Sequence, residues 1–409
     1  MRKLPLFTAA AAVTALLAAV PAVASAGTTG AAGKAAALAP TGALPPLDPA
    51  ALKAAIGGLP NATVTGAILK VSGSAGNWQG VSGVRDVRTK APVPANGRFR
   101  IGSVSKVFTA ALMLQLVHDG KVDLDRTVQH YVPGLLPKAY PPITVRQVLN
   151  HTSGLPTDGN LGFGDADWFV AHRLDSWTMR QIVADGVRYP MAAAPGTVQQ
   201  YNGLNYWVAG VVIEKVTGRT YQDEVTRRII RPLHLKDTFA LDRRDPRLPG
   251  PHAHGYVAVQ ENGKTVLRDV SRQSPWPAAE GGLISSTSDL TRFISALFRG
   301  RVVPKPELKE MFRVPDVPYK GHDNCVISKT PGRACFGLGL ARFESSNGVV
   351  AWGKSGSRPG YTTGLMATRD LSRVIAYSLN ATGNKDGSEG PYVVRIAAAT
   401  FDPTLTSGH

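Results

Sequence analysis

Residues 107–117 form an apolar run broken only by Thr109 and Gln115, headed by Ser103-Val104-Ser105-Lys106 and followed by Asp119-Gly120. A helix that is apolar nearly all round has no face to offer to water, so it has to lie buried at the centre of a large core. Asp119-Gly120 supplies its stop, and Gly102 a tight turn before its start. On such a helix Ser103 and Lys106, three residues apart, face the same way with Cβ atoms about 5–6 Å apart. The lysine amine then reaches the serine hydroxyl, a nucleophile and a base on a rigid support. This is the only Ser-x-x-Lys in the chain. Taken alone, the spacing also fits two polar residues on a helix surface, and its company decides between the readings.

At the N-terminus, Arg2 and Lys3 precede an apolar stretch over residues 4–23, and Ala24-Ser25-Ala26 before Gly27 has the small residues of a cleavage site. Residues 1–26 therefore read as a secretory signal, with an extracellular mature chain. Residues 27–46, nearly all Ala, Gly, Thr, Pro and Leu, are expected as a flexible lead-in. Residues 47–409 show no repeat or charged linker and read as one bilobed catalytic unit, its helical lobe at about 107–300. No later apolar run approaches the ~20 residues of a membrane span, so stable membrane insertion is not expected.

The only cysteines are Cys325 and Cys335. In an exported chain they suggest one disulfide closing the Pro331-Gly332 loop, the alternative being two buried thiols; neither arrangement looks catalytic. The formal charge of +17 raises nucleic acid as a partner. The basic residues are scattered and interleaved with acids, as in Asp242-Arg243-Arg244-Asp245, so no nucleic acid is expected. Attraction to anionic cell-envelope polymers and a merely solvated surface remain the two readings of the charge.

Residues 62–71 and 77–84 alternate as two strands of a hairpin around Gly73 and Gly76. Helical patterns dominate residues 106–300, at 144–149, 205–215, 221–230 and 287–298. Short β-type runs follow at 336–343, 348–352, 361–367 and 373–379, each bounded by turn residues, and residues 391–400 close the chain as a helix. The order of strand, helical insertion, strands and helix puts both ends of the domain in one α/β layer.

Two further segments carry chemistry. Tyr201 lies between the Pro195-Gly196 turn and an apolar helix, where its phenol would relay a proton if nearby cations lowered its pKa; a turn tyrosine packing on that helix is the plainer reading. In Lys354-Ser355-Gly356-Ser357, Lys354 and Gly356 would share one face of a strand. There Gly356 would let a substrate backbone lie against the strand while Lys354 supplies positive charge; an edge-strand lysine is the alternative. A second ammonium would also disfavour protonation of Lys106 and help it act as a base. Neither Gly-x-Ser-x-Gly nor His-Glu-x-x-His occurs, and His252-Ala253-His254 reads as a surface loop, so neither metal nor cofactor is expected. His151 reads as a hydrogen-bonding residue; Glu280, before Gly281-Gly282-Leu283, is a minor candidate to approach the site and is not counted among its residues.

In order, Phe99-Arg100-Ile101-Gly102-Ser103-Val104-Ser105-Lys106, Leu149-Asn150-His151-Thr152-Ser153-Gly154-Leu155-Pro156, Pro195-Gly196-Thr197, Gly281-Gly282-Leu283 and Lys354-Ser355-Gly356 resemble the serine β-lactamase-like superfamily. The likeness is to the branch of class C β-lactamases and secreted D-alanyl-D-alanine carboxypeptidases, which also holds esterases and D-amino-acid peptidases. It covers roughly residues 60–400. It implies an α/β (α+β) fold, a five-stranded antiparallel sheet flanked by helices with a large all-helical lobe. Ser103 would be the acylated nucleophile, Lys106 its proton acceptor and Tyr201 the relay. Lys354, with Ser355 and Gly356, would clamp a substrate carboxylate, and the N–H groups of Ser103 and Ser357 would form an oxyanion hole.

The chain departs from the family's Tyr-x-Asn box, which would put at position 203 an Asn that bonds the substrate amide; here stand Tyr201-Asn202-Gly203. Asn202 is the candidate to stand in. The expected activity is that of a D-alanyl-D-alanine carboxypeptidase on a peptidoglycan-like peptide or a small acyl substrate. The alternatives are a family VIII-type esterase, a class C-like β-lactamase and a non-catalytic penicillin-binding protein.

Overall fold

Strand β1 (Val64–Ser72) divides the core in two. Val64, Ala67, Leu69 and Val71 go to one side of the sheet and Ile68 to the other, as alternation requires once the register shift between Val64 and Ala67 is counted. The computed structural model describes residues 42–157, 164–275, 278–321, 325 and 332–406. Residues 1–26 and most of the expected lead-in lie outside them. The lead-in's last residues are not free: Leu44 packs against the core and the Pro45 carbonyl accepts from Arg373, so packing begins before Leu47.

Besides β1, the strands are β2 (Trp78–Gly83), β3 (Phe99–Arg100), β4 (Tyr256–Glu261), β5 (Lys264–Asp269), β6 (Ile284–Ser285), β7 (Ala341–Glu344), β8 (Val350–Arg358), β9 (Tyr361–Thr368) and β10 (Val374–Ala381). The main sheet runs β2-β1-β10-β9-β8-β7, antiparallel throughout. It has six strands among the described residues where five were expected, the sixth being the four-residue edge strand β7. That strand starts later than residue 336 because the Cys335 and Phe336 N–H groups go to the Gln199 side chain instead of a neighbouring strand. In contrast, β8 runs longer than expected and carries Lys354 to Ser357 within the sheet.

Helices Pro49–Ala55 and Gly390–Phe401 cover one face, packing Leu52, Tyr392 and Ile396 against Leu69 and Leu379. Helices Thr287–Phe298 and Ser105–His118 cover the other, and Phe108 and Phe293 stack with ring centroids 3.7 Å apart. Every residue from Ser105 to Leu114 is buried, as the apolar run demanded. Beyond it lie helices Val145–Leu149, Met179–Gly186 and Leu204–Thr217. This lobe is not wholly helical, since β4 and β5 form a hairpin across Asn262 and Gly263 at φ 51° and 73°. Asn-Gly tolerates the left-handed pair that a tight hairpin turn requires.

Short β3 and β6 pair with each other, and Ile101 N donates to Leu283 O at 3.1 Å. Leu283 N in turn donates to Ser105 Oγ at 3.2 Å. These bonds fasten the Gly281-Gly282-Leu283 segment alongside the start of the central helix. Among the described residues no helix is long and apolar enough to cross a membrane.

Candidate active site

Ser103 sits in a single tight turn, Gly102–Val104, immediately before helix Ser105–His118. The turn is pressed against β8. A Cβ on Gly102, whose φ is +50°, would fall 2.6 Å from Ser357 N, and one on Gly356 would fall 2.1 Å from Ile101 O and 2.9 Å from Ser103 N. Gly356 is therefore a glycine because the turn bearing Ser103 fills the space beside it, which replaces the expectation that a substrate backbone lies there. The same approach brings the Ser357 backbone beside the turn bearing Ser103. Ser355 and Ser357, partly buried, alternate along β8 with buried Lys354 and Gly356.

Lys106 Nζ donates to Ser103 Oγ at 2.9 Å and to the Glu280 carbonyl at 3.0 Å, and forms an ion pair with Glu280 Oε1. Burial works against the charge of this lysine. The Glu280 carboxylate and the Tyr201 phenol outweigh burial and hold its ammonium above the ordinary lysine range. This corrects the expectation that Lys354 would help to make Lys106 a free base: the resting lysine is charged, and the reason is a carboxylate 174 residues away.

Sequence reasoning named that carboxylate but left it outside the site, where the structure brings it onto Lys106. Glu280 comes from the helical turn Ala278–Gly281. Its Oε1 also accepts from Ser103 Oγ at 3.4 Å. Burial pushes its carboxyl up, but Lys106 pulls it further down, below the ordinary carboxylate value. The available signal was a carboxylate in an otherwise apolar Ala-Ala-Glu-Gly-Gly-Leu segment, where a buried charge requires a partner.

Tyr201 Oη is buried and makes no hydrogen bond to a described residue. Lys354 Nζ lies 4.6 Å from its ring centroid and Lys106 Nζ 5.2 Å. Burial raises the phenol's pKa, and the two ammonium groups together bring it below the ordinary value. The ring is held by His151 at 4.6 Å and by Phe336 at 5.3 Å. Phe336 follows Cys335, which is disulfide-bonded to Cys325. Gln199 Nε2 donates to the carbonyls of Asn150 and Phe336, tying that loop to the site.

His151 Nδ1 accepts from Asn202 N at 3.2 Å and from Asn205 Nδ2 at 3.3 Å. Burial, with Lys106 and Lys354 nearby, holds its pKa well below the ordinary value, so it is a neutral brace. Lys354 Nζ donates to Ser355 O at 2.9 Å. Burial lowers its pKa and the Tyr201 phenol only partly offsets that.

Asn202 is not in the site. Its Nδ2 donates to Leu155 O and Pro156 O at 3.0 and 2.7 Å, and its Oδ1 accepts from Leu204 N at 2.8 Å. The amide is committed to fixing one loop and starting helix Leu204–Thr217, which removes it as a stand-in for a side chain at 203. Glu280 lies there instead: a Cβ at Gly203 would be 3.3 Å from Glu280 Oε1. Among the described residues no group of three or more His, Cys, Asp or Glu side chains could hold a metal ion.

The family model described as Beta-lactamase matches residues 53–399. Penicillin-binding protein 4* of Bacillus subtilis (strain 168) is 27% identical over 308 residues, covering 73% of this chain and 64% of that protein. The chain thus spans less than two thirds of that curated relative. A D-stereospecific amidohydrolase from Streptomyces sp. has a similar structure, with TM-score 0.73 and 32% identity over 86% of this chain and 98% of that one. The D-amino acid amidase from Ochrobactrum anthropi SV3, solved with D-phenylalanine, superposes with TM-score 0.70 and 26% identity, again over 86% and 98% of the two chains.

Proposed function

The chain belongs to the beta-lactamase family, and from that membership we propose that it hydrolyses amide or ester bonds of small D-amino-acid peptides and derivatives through an acyl-enzyme on Ser103. D-alanyl-D-alanine-like peptide ends fall within this class. The observation that carries the reading is the convergence of Ser103, Lys106 and Tyr201: Lys106 Nζ lies 2.9 Å from Ser103 Oγ beside a buried, unpartnered phenol. The D-configuration is taken from the names of the amidohydrolase and the amidase.

Tyr201 is the better resting base, because its pKa is lowered while that of Lys106 is raised. The phenolate form takes the Ser103 proton as Oγ attacks the substrate carbonyl. The Ser103 and Ser357 N–H groups receive the oxyanion, an interaction whose loss typically costs about 10²–10³ in rate. Tyr201, through Lys106, returns the proton to the leaving nitrogen or oxygen, and the acyl-enzyme remains. Water then attacks the ester while Tyr201 takes its proton, and the proton returns to Ser103 Oγ as the acid leaves. Lys354 supplies charge for a substrate carboxylate. We place the protein outside the cell on the signal-like residues 1–26.

The test incubates the purified mature chain and its Ser103→Ala variant with the D- and L-forms of an alanyl-alanine dipeptide ester, and separately with a fluorescent penicillin. Ser103-dependent release from the D-form, with slowly reversed penicillin labelling, is expected. Rapid penicillin turnover would move the reading to a β-lactamase. Turnover that survives in Ser103→Ala would end it.

A further inference from the structure

Beside Gly203 stands an acceptor-only side chain, where the family's box supplies an amide that can also donate. A Cβ at 203 would stand 3.3, 3.4 and 3.5 Å from Oε1, Cγ and Cδ of Glu280, so any larger residue there would press on that carboxylate. Asn202 does not swing in, because its amide is bonded to three backbone groups. One oxygen of Glu280 serves Lys106 and Ser103. Its other oxygen makes no hydrogen bond to a described residue, on a side chain 19% exposed, although the charges of Lys385 and Arg358 also act on the carboxylate. The site therefore presents an acceptor on the same carboxylate whose Oε1 lies 3.4 Å from Ser103 Oγ.

An amide side chain at that place can donate to a substrate carbonyl, whereas an ionised carboxylate only accepts. We propose that Glu280 is a specificity-determining residue that occupies the place of a side chain at 203 and selects substrates presenting a nitrogen donor there, a free α-ammonium above all. Acylating that nitrogen removes the positive charge and sets a carbonyl oxygen against a carboxylate, which is repulsive at both points. The inference rests on the acyl-enzyme reading of Ser103 and narrows it: substrates with a free amine are the good ones, and N-acylated D-alanyl-D-alanine ends and penicillins the poor ones.

The decisive experiment compares D-phenylalanine methyl ester with its N-acetyl derivative. It follows product by chromatography with the wild type, Ser103→Ala, Glu280→Gln and the double variant Gly203→Asn/Glu280→Ala, each checked for a cooperative thermal melt. The wild type is expected to favour the free amine in kcat/KM by about tenfold or more. Glu280→Gln keeps the size and the contact with Lys106 and should bring that ratio close to one. The double variant, which places an amide at 203 and vacates the space it needs, should turn the ratio toward the N-acetyl ester. A ratio unchanged by Glu280→Gln, with both rates reduced alike, would overturn the inference and leave Glu280 as a positioning residue for Lys106. A wild-type preference for the N-acetyl ester would also overturn it. Absence of Ser103-dependent turnover on both esters would remove the hydrolase reading and the inference together.

Discussion

Gly356 and Ile101 are in contact at a distance only glycine permits, since a Cβ on Gly356 would lie 2.1 Å from the Ile101 carbonyl oxygen. Strand β8 and the turn that carries Ser103 are therefore packed backbone against backbone, which places Lys354 and Ser103 on directly abutting elements. Substituting Gly356→Ala forces backbone, not a side-chain tip, to move. We expect a loss of about 1–3 kcal/mol in stability by denaturant melts, and a larger proportional loss in the rate of covalent labelling at Ser103.

Tyr201→Phe should leave the fold intact and lower kcat on a neutral ester by about 10²–10⁴. The pH profile distinguishes this from mere repositioning. Because Lys106 and Lys354 lower the phenol's pKa, wild-type activity should rise with pH along a limb set below the ordinary phenol value, and Tyr201→Phe should abolish that limb. A limb that persists in the variant would assign it to another group.

Glu280 and Lys106 shape stability against pH from opposite sides. The folded pKa of Glu280 is lowered, so its contribution is present above its ordinary 4.5 and is lost as the pH falls through the depressed value. That of Lys106 is raised, so its contribution is present below its ordinary 10.5 and is lost as the pH rises through the elevated value. Glu280→Gln should lower the plateau between them by about 1.5–3 kcal/mol and flatten the acid side of the stability curve. Chemical denaturation across the pH range measures both.

Reducing the Cys325–Cys335 bond should act on the site as well as on the fold. The bond closes a short loop, with a sequence separation of 10, worth about 2–3 kcal/mol on the loop-entropy model. Phe336, next to it, packs on Tyr201. Cys325→Ser/Cys335→Ser should melt at a lower temperature and label more slowly at Ser103. Slower labelling without a change in melting would separate the two effects.

Lys354→Met tests the carboxylate clamp. On paired peptides with a free and an amidated C-terminus, kcat/KM should fall by about tenfold or more for the free acid and much less for the amide. An equal fall on both would assign Lys354 to the chemical step through Tyr201.

Much of this arrangement was legible. Residues 107–117 had to be a buried helix, since no other placement hides an apolar surface on every side, and residues 287–298 showed their helical pattern, which Ser286 caps in the structure. The hairpin at Asn262-Gly263 was signalled by its turn pair and was passed over because the surrounding pattern was helical. Strand β7 was signalled by the β-type run at 336–343, although the resemblance implied five strands; its late start at Ala341 was not legible. It depends on where the Cys335 and Phe336 N–H groups go, and Gln199, 136 residues from Cys335, takes them.

By itself the sequence determined what lies within a few residues along the chain. The Ser103–Lys106 spacing, the glycines at the close approaches and the apolar runs of helix and strand all follow from fixed backbone periodicities. Only the tertiary structure decided the charge of the site. The pairing of β3 with β6 carries Glu280 onto Lys106, and Asn202 turns away to hold Leu155, Pro156 and Leu204. Protonation depends on burial and on charges within a few ångströms in space, and local spacing along the chain does not encode neighbours separated by 174 residues.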